Sequence, residues 1–178
     1  MPVVHLRPIE LHDLDSIMSW VNDPAVVGNF AGLSRTITHD DEREYLEKII
    51  ASDKDKLYVI ETAERNYIGN IGLHEIDRSN NSARYGMIIG KKNYWGRGYA
   101  QSAINSLLEL AFQEHQLQQV WAKFLATNEK MRHINVDKCG FRVDSIMPRE
   151  YFRDGKYHDM IRVSMTADDY RMKSTKNI

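Results

Sequence analysis

The 178-residue chain has a single cysteine, Cys139, so no internal disulfide can form and a cysteine-rich metal site is excluded. It also lacks an excess of either charge. Its 24 Lys and Arg against 25 Asp and Glu remove the global basic field that drives binding to nucleic acid or an anionic membrane. No stretch reaches the ~20 apolar residues of a bilayer span. The start, Met1-Pro2-Val3-Val4-His5, has no charged-then-apolar layout of a signal peptide, and a cytoplasmic protein is expected. The seven histidines are scattered without ligand spacing, so no metal is expected. No linker, repeat or low-complexity tract divides the chain, and 42% hydrophobic residues at this length suit one domain spanning 1–178.

Val3 to Leu6, stopped by Pro8, reads as a first strand. A helix with Ile17, Met18, Trp20 and Val21 on its buried face follows, and Asn22-Asp23-Pro24 ends it. Ala25 to Arg35, with Gly28, Gly32 and no period, reads as a loop. Thr38 is the expected N-cap of a second helix, with Asp40, Asp41 and Glu42 in its first turn and Tyr45, Leu46, Ile49 and Ile50 as its apolar stripe. Leu57 to Thr62, Tyr67 to Ile76 and Ala83 to Ile89 read as an antiparallel meander. A long amphipathic helix from about Gly98 to Glu114 then crosses to Gln119 to Ala126, which is expected to run parallel to the preceding strand. A short helix from about Glu129 stops at Gly140, and a hairpin turning at Asp154-Gly155 closes the chain ahead of a polar tail from about 171, expected to fray.

The densest signal is Asn93-Tyr94-Trp95-Gly96-Arg97-Gly98-Tyr99-Ala100, which joins an apolar strand to the long helix. The first N–H groups of a helix lack partners, and with the positive end of the helix dipole they favour phosphate. Gly96 and Gly98 leave that anion room, while Lys91, Lys92 and Arg97 are expected to add charge. The spacing fits neither a P-loop nor the dinucleotide fingerprint, which wants a small residue where Gln101 stands.

The turn resembles the acyl-CoA turn of the GNAT superfamily of N-acetyltransferases: Gln or Arg, any two residues, Gly, any one, then Gly or Ala. Asn93 departs from that pattern at its first place. The likeness continues through Trp20-Val21-Asn22-Asp23-Pro24, Asn128, Lys138-Cys139-Gly140-Phe141 and 151–159, and is nearest to the ribosomal-protein alanine acetyltransferase branch, with spermidine and nucleotide-amino-sugar acetyltransferases as near relatives. It implies an α/β (α+β) fold with a mixed sheet of about seven strands flanked by helices. Two strands splay to hold acetyl-CoA, the acyl donor to a primary amine, and a homodimer is allowed. Met87, Ile88, Ile89, Trp95, Gly96, Arg97, Gly98, Tyr99, Ala100 and Asn128 are the implied cofactor contacts, and the Ile89 N–H would polarise the thioester carbonyl.

An amine of pKa near 10.4 must lose a proton before it attacks. Where relatives often carry a glutamate this chain has Arg84 and Lys123, which leaves Glu75 as the nearest candidate base; an exposed strand residue is an equally good reading of it. No tyrosine stands at the place from which the family usually protonates the leaving thiolate, leaving Tyr85, Tyr94, Tyr151, His133 or solvent. Trp20, Asn29 and Phe30, with Arg84 and Lys123, are the implied acceptor-side residues, although core is the better reading for Trp20. Two cations at the cleft argue for a neutral or acidic acceptor, a protein N-terminus or a nucleotide-linked amino sugar, over a polyamine. The absent carboxylates and tyrosine also leave open a non-catalytic acyl-CoA-binding module.

Overall fold

The architecture is that of a computed structural model, which describes residues 1–28, 30 and 36–176, the last three by backbone alone. The elements in order are β1 (Val4–Pro8), a 3-10 turn (Leu11–Asp13), α1 (Leu14–Met18), α2 (Pro24–Val27), α3 (His39–Ala51), β2 (Lys56–Thr62), β3 (Tyr67–Asp77) and β4 (Ser82–Ile89). There follow α4 (Tyr99–Glu109), β5 (Gln119–Leu125), α5 (Glu129–Arg132), β6 (Arg142–Arg153), β7 (Lys156–Thr166) and α6 (Ala167–Lys176). The strands form one mixed sheet of seven in the order β1-β2-β3-β4-β5-β7-β6, in which β4 and β5 are the parallel pair that the crossing helix α4 requires. Among the described residues, no helix is long and apolar enough to cross a membrane.

The sheet separates two cores. On one face Ile71, Leu73, Ala83, Tyr85, Val120, Ala122 and Phe124 meet Ile104, Leu107, Leu108 and Ala111 of α4 and its continuation. On the other, Val59 meets Leu14, Ile17, Leu46 and Ile49 of α1 and α3, together with Trp20 and Val21. The local rules explain most of the ends. The Thr38 side chain accepts from the Asp41 N–H while the Asp41 carboxylate accepts from the Thr38 N–H, a reciprocal cap on α3. Asp154 and Gly155, at φ 51° and 77°, supply the two left-handed residues of a tight hairpin.

Four expectations are corrected. The segment read as a loop begins with the helical turn α2, because Asp23 caps it through the Ala25 N–H and Pro24 sits at its first position, where a missing N–H costs nothing. On α3 the buried positions are Glu42, Leu46 and Ile49, while Tyr45 and Ile50 are exposed, so the stripe is narrower than four apolar residues implied. Met18, expected in the buried face with Ile17, Trp20 and Val21, is only partly buried. The tail continues as α6, with Thr166 and the Asp169 carboxylate bonded at its start.

One ion cluster ties the start of the chain to the sheet. Arg7 donates to Asp13 at 2.6 and 2.8 Å and to Glu61 at 2.8 Å, joining β1, the turn before α1, and β2. Burial alone would push both carboxyls up, but the Arg7 hydrogen bonds, aided by the Glu10 N–H at Asp13 and by Arg65 at Glu61, leave both below the usual carboxylate range. Depressed carboxyls stabilise the fold above their unfolded pKa of about 4 and lose that contribution as pH falls through the folded values. Arg7→Met is therefore expected to lose about 2–4 kcal/mol at pH 7, since removing one partner strands two part-buried charges. Urea unfolding of the two proteins would show the gap, and it should narrow below about pH 4 as those carboxylates protonate.

Candidate active site

The site begins where β4 and β5 stop pairing. Their parallel register runs Ser82 with Gln119, Ala83 with Val120 and Arg84 with Trp121, and goes no further, whereas β5 stays paired with β7 as far as Leu125. A bulge at the end of β4 turns it towards β3: the N–H groups of Gly90 and Lys91 both donate to the Ile68 carbonyl, at 2.8 and 3.1 Å. Gly69 permits the approach, since a Cβ there would run into the Ile88 carbonyl oxygen. Beyond Arg84, the backbone groups of 86–89 that point away from β3 therefore face a gap instead of a strand. Met87, Ile88 and Ile89 lie along that stretch of β4. The Ile89 carbonyl is already engaged, accepting the Trp95 indole N–H at 2.8 Å.

That indole bond also shapes the anion turn. After a 3-10 turn at Lys92–Tyr94, Gly96 and Gly98 sit at φ 71° and 86°, and Gly98 caps α4. The first helical bond closes from the Ser102 N–H to the Gly98 carbonyl, so the N–H groups of Tyr99, Ala100 and Gln101 emerge together at the helix start. Nothing lies within 4 Å of where a Gly96 Cβ would stand. Trp95, Gly96, Arg97 and Gly98 are exposed around this point, and the donor set fits a pyrophosphate. Two of the expected cations are committed elsewhere: Lys92 pairs with Asp23 at 2.6 Å and Lys91 donates to Ser19 at 3.2 Å.

On the sheet face opposite α4, the cleft floor is a glycine pair, Gly72 of β3 directly across from Gly86 of β4, with the His74 ring over both and Leu57 beside Gly72. A β3 bulge between His74 and Asp77 breaks the alternation there, with Glu75 at φ 54°. Leu73 and Ile76 both enter the α4-side core, so the two residues between them are thrown onto the cleft face together. Glu75 accepts from Arg84 at 2.9 Å with its side chain 62% exposed. Lys123 pairs with Glu150 at 3.0 Å. Both cations named from the sequence are thus neutralised by a neighbour, which removes the premise that they repel a polycation. His74 was not foreseen. Strict alternation places His74 and Glu75 on opposite faces, and no glycine or proline beside them signals a bulge.

The remaining candidates sort by burial. Tyr85 is buried and its hydroxyl donates to the buried Asn135, with burial pushing that hydroxyl well above the ordinary tyrosine range. Tyr94 packs edge-on against Tyr99, and His133 bonds Asp137 at 2.7 Å. Cys139 is fully buried, its thiol pushed up to about 11 by that burial, consistent with a small apolar packing residue. Asn128 caps α5, its side-chain oxygen accepting from Met131 at 3.2 Å while the amide nitrogen remains to donate. After α5 the chain widens into a π turn, His133–Lys138, where Cys139 N–H reaches Ile134 O at 2.9 Å; this turn takes up the one extra residue between Asn128 and Gly140.

The mouth is bordered by α2 and the β6–β7 hairpin, which meet where Arg153 donates to the Gly28 carbonyl at 2.7 Å. Trp20 does not line it. The residue is 5% exposed and its ring lies against Gly90, where a Cβ could not be accommodated. Phe30 is exposed near the end of α2, and Asn29 lies outside the described residues.

A parted parallel strand pair, a glycine-capped helix start and a carboxylate-lined face beyond the gap define an acyl-CoA-dependent N-acyltransferase. The chain belongs to the acetyltransferase (GNAT) domain family, whose sequence profile matches residues 4–142. It is 29% identical over 135 residues to spermidine N(1)-acetyltransferase of Vibrio cholerae, covering 76% of this chain and 77% of that one. The Escherichia coli K12 spermidine N(1)-acetyltransferase is 26% identical over 181 residues, covering 96% and 91%. The crystal structure of the Vibrio cholerae spermidine N-acetyltransferase with CoA and spermine has a TM-score of 0.87 at 27% identity, covering 94% and 98%. The protein is thus an enzyme that uses acetyl-CoA, and the non-catalytic binding module falls away.

Gly98 offers a direct check of the turn. Its φ of 86° is costly for a side-chain-bearing residue, above all a β-branched one, and a Cβ would stand 3.2 Å from Pro2 Cδ. Gly98→Val is expected to weaken CoA binding at least about tenfold by calorimetric titration, with the circular dichroism spectrum retained; equal affinities would place the pyrophosphate elsewhere.

Proposed function

We propose that the enzyme acetylates a small polyamine of the spermidine class. The observation that carries this reading is the charge closure of the cleft: Arg84 with Glu75 and Lys123 with Glu150 leave no uncompensated cation from either pair. Asp55, just before β2, adds a carboxylate beside His74. The spermidine acetyltransferases among its relatives support the same acceptor class, and this replaces a protein N-terminus, suggested by the ribosomal-protein branch, as the leading reading.

Acetyl-CoA would enter the β4–β5 gap with its pyrophosphate at Gly96 to Ala100 and its pantetheine arm along Met87, Ile88 and Ile89. The Asn128 amide nitrogen would donate to that arm. The Ile89 N–H would hold the thioester oxygen as charge develops on it. The polyamine approaches over the Gly72–Gly86 floor, and its neutral amine attacks the acetyl carbon directly within the ternary complex. Cys139, buried and with its thiol pushed up, is unsuited to store the acetyl group.

A panel of spermidine, a peptide N-terminus and a nucleotide-linked amino sugar, scored by thiol release, tests the acceptor. Spermidine is expected to show at least about tenfold higher kcat/KM than the other two; a preference for the peptide would restore the protein-N-terminus reading. Glu75→Gln and Glu150→Gln each unmask a cation, and each should raise KM for spermidine several-fold, about 3- to 10-fold at low salt and less as salt screens the charge.

A further inference from the structure

The proton that the acceptor must lose has a recipient that the sequence did not suggest, and the argument rests on the proposed amine acetylation. His74 has a side chain only 13% exposed, and its Nδ1–H donates to Asp55 Oδ1 at 3.1 Å. The Asp55 carboxylate is itself held, because Ser52 Oγ donates to its other oxygen at 2.7 Å. With Nδ1 committed as donor, Nε2 is the acceptor nitrogen of the ring. It points along the cleft floor: a methyl group on Gly86 would stand 3.6 Å from Nε2, and one on Gly72 3.1 Å. Gly86 lies two residues past the last β4–β5 pair, at the start of the gap.

We propose that His74 is the general base of the transfer and that Asp55 is the positioning residue that sets its tautomer. The acceptor ammonium gives one proton to Nε2. The freed lone pair forms the C–N bond at the acetyl carbon, the C–S bond breaks with its electron pair on sulfur, and the second proton on nitrogen ends on that sulfur. The imidazolium then releases its proton to water, which balances the reaction.

The surroundings keep the ring neutral at pH 7. Burial pushes the imidazole below its ordinary range and Arg84 of β4 reinforces this, while Asp55 and Glu75 oppose it. Glu75 serves less well for geometric reasons, since its carboxylate is exposed and holds Arg84. The two consecutive side chains therefore divide the work, one compensating charge and the other moving a proton.

The test measures kcat with spermidine from pH 5 to 9 in the parent, His74→Gln, His74→Ala, Asp55→Asn and Glu75→Gln. His74→Gln is expected to lose about 100-fold at pH 7 and to regain about tenfold per pH unit, because deprotonated amine then comes from solvent. Asp55→Asn should lose about tenfold by favouring the wrong tautomer, and added imidazole should restore part of the rate of His74→Ala but none to Asp55→Asn. CoA affinity in each variant reports whether the fold is intact. Parental kcat and an unchanged acid limb in His74→Gln would overturn the inference while leaving the acetyltransferase reading standing. Loss of the acid limb in Glu75→Gln alone would assign the proton to Glu75 and overturn it too. A parent that acetylates no amine in the panel removes the proposed function, and this inference with it.

Discussion

Neighbouring strands hydrogen-bonded to each other along their whole length leave no room for a ligand between them. The β4–β5 pair resolves this by pairing at one end and parting at the other, and most of the site follows from that separation. Gly69 and the shared Ile68 carbonyl draw β4 towards β3, while an unbroken ladder keeps β5 on β7. The gap needs both halves of the arrangement. If β5 followed β4 towards β3, its ladder to β7 would break; if β4 stayed straight, its backbone groups would meet β5 instead of a gap. The turn after β4 then carries α4 back across the parted strands, which puts the glycine-capped helix start at the same end as the opening.

What was legible in the sequence was whatever depends on neighbours a few residues apart. The Thr38 cap, the Asp154-Gly155 hairpin, the glycine turn and the crossing of α4 all rest on local spacing, and each is found where the residues put it. The four-residue helix α2 was missed because it is too short to express a period. The exposure of Tyr45 and Ile50 depends on what α3 packs against, which its own residues do not state. Parity was the costliest loss. A single bulge at Glu75 puts two consecutive side chains on one face, and alternation, the rule that assigns faces from sequence, fails there without a compositional warning.

Charge was misread for a related reason. Counted singly, Arg84 and Lys123 are bare cations, yet their partners come from β3 and from β6, the latter two strands from β5 across β7. A formal charge in a cleft has meaning only together with what lies within a few ångströms of it. The distinction bears on the proposed acceptor: two bare cations would oppose a polyamine, and two closed pairs leave carboxylates able to meet one.

The thiolate side needs less of the protein than the amine side. A thiolate is a tolerable leaving group near neutral pH, whereas an aliphatic amine with a pKa near 10 arrives almost wholly protonated and cannot attack until that changes. A chain that keeps an oriented base and has no tyrosine at the family's usual place has therefore retained the harder of the two proton transfers. The π turn after α5 fits this balance. It absorbs the extra residue before Gly140 and buries Asn135, which receives the hydroxyl of the buried Tyr85. The structure there is apolar and bonded within itself. The carboxylates and the imidazole gather on the other face of the same sheet, where the amine arrives.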